Sequence, residues 1–236
     1  MPQAAQTKAP PAAALDDDGA PMTLQTFDLL DLESLTYDRQ YSANASLDFH
    51  LFFVGRDNVH GILKYLLQRV SLSLYMNMFG YDDDELNAIV MGIVKNPNIT
   101  VLITLDKSQA GGEHEKALLD ADRADPLAQF NTHFVIGQSA TRQISHTKGF
   151  VADGRVGAEG SVNWSTSGEG VWVTQTGPGG PGFKAQNNTQ TVFTDPDSVN
   201  RFQTQLITEH MLAQNQHTTT GSRTQRRAPE REVEGE

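Results

Sequence analysis

The chain has 236 residues, with 18 basic and 29 acidic side chains, a formal net charge of −11 and an isoelectric point of about 5.0. Cysteine is absent, which excludes disulfides, thiol catalysis and cysteine zinc sites and fits a reducing, cytoplasmic setting. No apolar run approaches the ~18 residues that span a bilayer. The first residues lack the apolar segment of a secretory signal. The acidity argues against broad, charge-driven coating of nucleic acid but leaves room for a local phosphate cleft.

Residues 1–22, rich in Ala, Pro and Asp, read as a disordered arm, and 215–236 as a disordered tail carrying four Arg and four Glu past Ser222. The folded body is expected over 23–214. Period-two alternation predicts a first strand over 46–53, with Leu47, Phe49, Leu51 and Phe53 on one face. Asp57 is placed to cap a helix carrying Val59, Ile62, Leu63, Leu66, Leu67 and Val70. A second strand follows over 71–79. Asp82 or Asp83 then caps a helix with Leu86, Ile89, Val90 and Ile93, and Pro97 lies just past its end. A largely apolar strand over 99–105 implies cover on both faces. A short helix over 113–123 and a strand over 132–137 come next. Two short strands, 144–152 and 155–160, flank Asp153-Gly154, a strong hairpin signal. Six Gly and two Pro make 168–183 a loop. A strand over 188–194 precedes a last helix opened by Asp195-Pro196. The series describes an α/β domain with a mixed sheet flanked by helices.

The chemistry concentrates in residues 145–165. His146, Lys148 and Asp153 stand as His-x-Lys-x4-Asp, followed by Gly160, Ser161 and Asn163 as Gly-Ser-x-Asn. On a strand, His146, Lys148 and Phe150 share a face. The hairpin returns Ser161 and Asn163 to the same end, so imidazole, ammonium, hydroxyl and carboxamide can meet one anion. That set suits a phosphodiester. It offers a nucleophile reactive at neutral pH, a cation for the non-bridging oxygens, and neutral donors for charge developing in the transition state.

At these residues the sequence resembles the phospholipase D superfamily, in its branch with a single His-Lys-Asp (HKD) motif, which includes bacterial nucleases and the nuclease domains of some restriction enzymes. The wider resemblance covers most of 46–205 and is topological. It implies a metal-independent phosphodiesterase, a nuclease working through a phosphohistidine on His146, with DNA ahead of RNA as substrate. A single motif per chain implies a homodimer whose two motifs face each other across a two-fold axis in one shared active site. Lys148 and Asn163 are then expected to hold the non-bridging oxygens. Ser161 would support the phosphate or the imidazole, and Asp153 would orient groups near the turn. No cofactor and no metal is implied. A carboxylate is expected just before the closing strand to orient the imidazole, but Gln186 stands there in Lys184-Ala185-Gln186-Asn187. A Gln can orient the ring but cannot stabilise imidazolium by charge, so either the role passes to another acid such as Glu159 or Glu169, or activity is lowered. Two other readings stay open: a phospholipase or cardiolipin-type hydrolase entering through Val171 and Trp172, and a non-catalytic binding or assembly module. A regulatory or ATPase partner also stays open.

Elsewhere the residues favour plain roles. Asp48 and His50 share a strand face and read as structural. Glu113-His114-Glu115 reads as a solvated first turn, and Asp82 to Glu85 as helix capping. Trp164 and Trp172 are placed either to stack on a base or to pack at a dimer seam. Residues 81–125 carry ten acidic and four basic side chains, and residues 131–220 carry six and five. The motif half is thus close to neutral, with Arg142, Arg155 and Lys184 expected at the rim of the site.

Overall fold

The computed structural model describes residues 27–106, 112–124, 132–137, 145–170 and 186–224. The expected N-terminal arm lies outside these residues. Seven strands form one sheet: β1 (Phe49–Phe53), β2 (Ser73–Met78), β3 (Thr100–Asp106), β4 (Thr132–Gly137), β5 (Lys148–Ala152), β6 (Val156–Gly160) and β7 (Thr189–Phe193). The spatial order is β1-β7-β6-β5-β2-β3-β4. β2, β3 and β4 are parallel, and every pairing from β2 through β5, β6 and β7 to β1 is antiparallel. The carboxyl ends of β1, β2, β3 and β6 and the amino ends of β5 and β7 therefore share one edge of the sheet.

The helices are α1 (Val59–Leu67), α2 (Asp84–Val94), α3 (Glu113–Ala124), α4 (Thr166–Glu169) and α5 (Pro196–Thr224), with a 3₁₀ helix over Leu29–Leu35 that has no counterpart in the sequence-based expectation. α1 starts where Asn58 Oδ1 accepts the Gly61 N–H at 2.9 Å. Asp57 is not the cap; its carboxylate takes the N–H groups of Tyr37 and Phe53. Asp83 caps α2 through the Leu86 N–H at 2.7 Å. The apolar stripes of α1 and α2 meet β2, β3 and β5 in the larger core, which includes Ile62, Leu66, Leu86, Val90, Leu74, Val101, Ile103, Phe150 and Trp164. α5 packs on the other face over Val151 and Phe193 through Val199 and Leu206. It runs to Thr224, past the boundary expected at 214.

On β1 the buried face is the one opposite the apolar series. Phe52 is buried, and His50 is buried and stacked on Tyr41 with ring centroids 3.9 Å apart. The apolar series Leu47, Phe49, Leu51 and Phe53 is 72%, 49%, 45% and 43% exposed. β1 is an edge strand, and its covered face is the one that meets α1 and the 3₁₀ helix. Among the described residues no helix is long and apolar enough to cross a membrane.

Candidate active site

The end of β2 builds the floor of the site. Phe79 follows Met78 directly, and its ring carries two motif residues. The His146 imidazole lies against it, with centroids 4.7 Å apart and planes inclined by 60°. The Lys148 ammonium sits 5.0 Å from the same centroid. β5 begins only at Lys148, so His146 is not a strand residue as expected; it precedes the strand and is exposed. Lys148 is 4% exposed, and its Nζ donates to the His146 carbonyl at 2.8 Å. Burial pulls its pKa below the ordinary lysine value, and the Glu159 carboxylate partly opposes this. The segment before His146 is anchored as well. Ser145 N donates to Asp106 Oδ2 at 2.7 Å, and its hydroxyl to Asn77 Oδ1 at 3.1 Å. Asn77 in turn donates to Glu209 of α5.

The Gly-Ser-x-Asn segment closes on the same edge. A Cβ at Gly80 would lie 2.8 Å from Asn163 Cγ, so Asn163 packs on the residue next to Phe79. Trp164 N–H donates to the Gly80 carbonyl at 2.9 Å, and Asp82 N–H to the Trp164 carbonyl at 2.6 Å. Asn163 Oδ1 is buried and has no hydrogen-bond partner among the described residues. Ser161 Oγ donates to Asn188 Oδ1 at 3.1 Å and accepts from Thr189 N–H at 3.0 Å, so its hydroxyl ties β6 to β7. Asn188 also donates to the Gly168 carbonyl at 3.0 Å and to Gln186 Oε1 at 3.2 Å. Gln186 is exposed on this edge.

The fold thus brings His146, Lys148, Ser161, Asn163 and Gln186 to one edge, where the carboxyl ends of parallel strands gather and where α/β sheets bind ligands. It does not bring Asp153 there. Asp153 occupies the hairpin turn at the far end of β5, with φ 55°. Its carboxylate accepts Ser71 N–H, Ser71 Oγ at 2.7 Å, Leu72 N–H at 2.7 Å and Ser73 N–H at 2.9 Å. It fixes the start of β2. Arg155 lies at the same far end and is no part of a rim; Arg142, Lys184 and Trp172 fall outside the described residues. Trp164 is 1% exposed between Tyr81 and Phe150, so it packs and cannot stack on a base.

Glu169 ends α4 fully buried, paired with His60 of α1. Burial pushes its carboxyl up, and the His60 hydrogen bond only partly opposes that. Burial alone would lower the His60 pKa; hydrogen bonds to Glu169 and Glu85 and the Asp83 charge hold it well above its ordinary value. Glu169 is therefore committed to His60. Glu115 is also buried rather than solvated, and His114 pairs with Asp84 at 3.0 Å. Sequence reasoning missed Phe79, Asn188 and the Asn77–Glu209 link. For Phe79 and Asn188 the signal is position, since each adjoins a strand end that the topology carries to the motif; Glu209 lies within α5, and no local pattern points to it.

Similarity to known structures follows this architecture. NucT from Helicobacter pylori matches with a TM-score of 0.51 at 12% identity, over 68% of this chain and 94% of that one. Nuc from Salmonella typhimurium, a phospholipase D family member, matches with a TM-score of 0.49 at 15% identity, over 68% and 92%. The likeness to NucT is one of fold. Phosphatidylserine synthase from Haemophilus influenzae matches with a TM-score of 0.47 at 14% identity, over 72% of this chain but only 37% of its own. No family model and no curated protein sequence matches the chain. In this fold the His-Lys pair and the Gly-Ser-x-Asn segment converge on one sheet edge.

Proposed function

We propose that the chain is a metal-independent phosphodiesterase that cleaves nucleic acid, DNA ahead of RNA, in a homodimeric active site. The supporting observation is the exposed His146 imidazole beside the buried Lys148 ammonium on the shared Phe79 floor. His146 attacks phosphorus, forming a P–N bond as the P–O bond to the leaving oxygen breaks. The partner's His146 gives that oxygen its proton. Water then attacks phosphorus, the P–N bond breaks, and the partner's His146 takes the proton from water. Lys148 and Asn163 hold the non-bridging oxygens. A partly desolvated ammonium serves this better than a solvated one, because its field is less screened. Ser161 acts by position, holding β6 and β7 in register beneath the phosphate. Gln186 takes the orienting role without the charge a Glu would bring. Asp153 acts only through the fold.

One observation favours a second reading. The exposed face of Leu47, Phe49, Leu51 and Phe53 would suit an enzyme that meets a lipid surface. Labelled single-stranded DNA in excess chelator decides between the two. The first reading expects cleavage by the wild type and at least about a 1,000-fold loss in His146→Ala. Silence on DNA with turnover of anionic phospholipid vesicles gives the lipid hydrolase. Silence on both gives the non-catalytic module.

A further inference from the structure

His60, Asp83 and Glu169 come from three separate elements: the first turn of α1, the cap of α2 and the end of α4. One imidazole nitrogen and two carboxylate oxygens of these residues lie within 4.8 Å of one another. Their side chains are 12%, 8% and 0% exposed. We propose that the three residues form a divalent-metal site, with Zn²⁺ the best-suited ion, that staples α4 to α1 and α2.

Four observations carry this. Asp83 spends Oδ1 on its helix cap and presents Oδ2 to His60 Nδ1 at 3.9 Å. Glu169 Oε1 is buried and has no hydrogen-bond partner among the described residues, a costly state for a carboxylate oxygen unless a cation takes it. His60 Nε2 is bonded to Glu85 Oε2 at 2.8 Å, which leaves Nδ1 to face the two carboxylates. A carboxylate behind the distal nitrogen is the usual support for a metal-bound imidazole. Charge gives the fourth. Asp83, Glu85 and Glu169 outnumber an imidazolium and Lys64, whereas a dication on a neutral imidazole, with Lys64, balances all three. Small shifts bring the three atoms to the ~2.0–2.2 Å of zinc ligands, with a fourth position left open. A nitrogen-containing set suits Zn²⁺ over the oxygen-seeking Ca²⁺ and Mg²⁺.

The proposal does not rest on the proposed reaction. The site's effect falls on the segment from Ser161 to Gly170, because α4 begins just after Asn163 and Trp164. The test uses the full chain, stripped with chelator, freed of it by dialysis and titrated with Zn²⁺ by calorimetry, with Ca²⁺ as a parallel arm. One Zn²⁺ per chain, a raised thermal midpoint and weaker Ca²⁺ binding are expected, with affinity at least about tenfold lower in Glu169→Gln and Asp83→Asn. Asp83→Asn retains a capping oxygen and so keeps the fold if Glu169→Gln does not. No saturable binding, Ca²⁺ bound as tightly as Zn²⁺, or unchanged Zn²⁺ affinity in a folded Asp83→Asn protein would overturn the proposal.

Discussion

Lys148 is buried to 4% exposure with a backbone carbonyl and an aromatic face as its described partners. An ammonium in such a place favours its neutral form, which is why its pKa falls. A base whose pKa is depressed by folding opposes folding while it stays charged, and that opposition fades as pH rises through the folded pKa. Lys148→Met should therefore stabilise the protein by about 1 kcal/mol, raising the thermal midpoint by roughly 2–4 °C, while abolishing cleavage. A melting curve and a cleavage assay on the same preparation check both halves. Asp153 predicts the opposite pattern. Asp153→Ala leaves Ser71, Leu72 and Ser73 N–H groups without their acceptor, at a cost of about 2–4 kcal/mol. Activity per folded molecule should stay within about twofold, as active-site titration beside urea unfolding can establish. The spacing of the motif and the place of Asp153 at the turn were visible in the sequence; the groups it binds there, the start of β2, were not. Asp153 sits at that turn, a strand's length from His146, and its carboxylate is spent on Ser71, Leu72 and Ser73 of a segment far away in sequence.

At the scale of elements, the hairpin β5–β6 carries the site at one end and a plain turn at the other. Gly160 is needed for close approach. A Cβ there would fall 2.1 Å from the Thr189 carbonyl and 3.0 Å from Gln190 Cα, and backbone atoms cannot step aside as a flexible side chain can. Gly160→Ala should cost about 1–3 kcal/mol and lower cleavage sharply by moving Ser161 off β7. Gly154, at the turn, has φ 64° and only Gln203 Oε1 at 3.4 Å near its missing Cβ. Gly154→Ala should cost about 1 kcal/mol of backbone strain and leave cleavage unchanged. Urea midpoints and initial rates for the two variants separate the ends of one hairpin. Helix α2 was legible because its cap and stripe are local. β1 was legible as a strand but not as to which face is buried. Alternation gives a period, and the choice of face depends on Tyr41, α1 and the 3₁₀ helix, which distant segments supply. The Asn77–Glu209 link joins residues of β2 and α5 that no local pattern connects.

For the whole molecule, the sequence revealed the order of the seven strands and the longer helices and the mixed character of the sheet, because strand and helix periods alternate clearly, but not the 3₁₀ helix or the short α4, whose last residues fall where a loop over 168–183 was expected. It could not give the spatial order, in which β7 lies between β1 and β6. That order carries Asn188, Gln186 and the start of α1 to the motif. The homodimer belongs to this scale. Sedimentation should give twice the 25.9 kDa of one chain. Refolding wild type with an excess of His146→Ala should depress activity below the share of wild-type chains, because a mixed dimer lacks one of its two imidazoles. Activity in strict proportion to wild-type chains would mean that each chain works alone. The central claim, that His146 is the nucleophile on this edge, is tested most directly by rapid acid-free denaturation during turnover, followed by mass spectrometry of the chain. The account predicts a phosphoryl adduct on the peptide that contains His146, stable to base and lost in acid, and absent from His146→Ala. Turnover with the adduct on another residue, or with none in the presence of a trapped slow substrate, would contradict it.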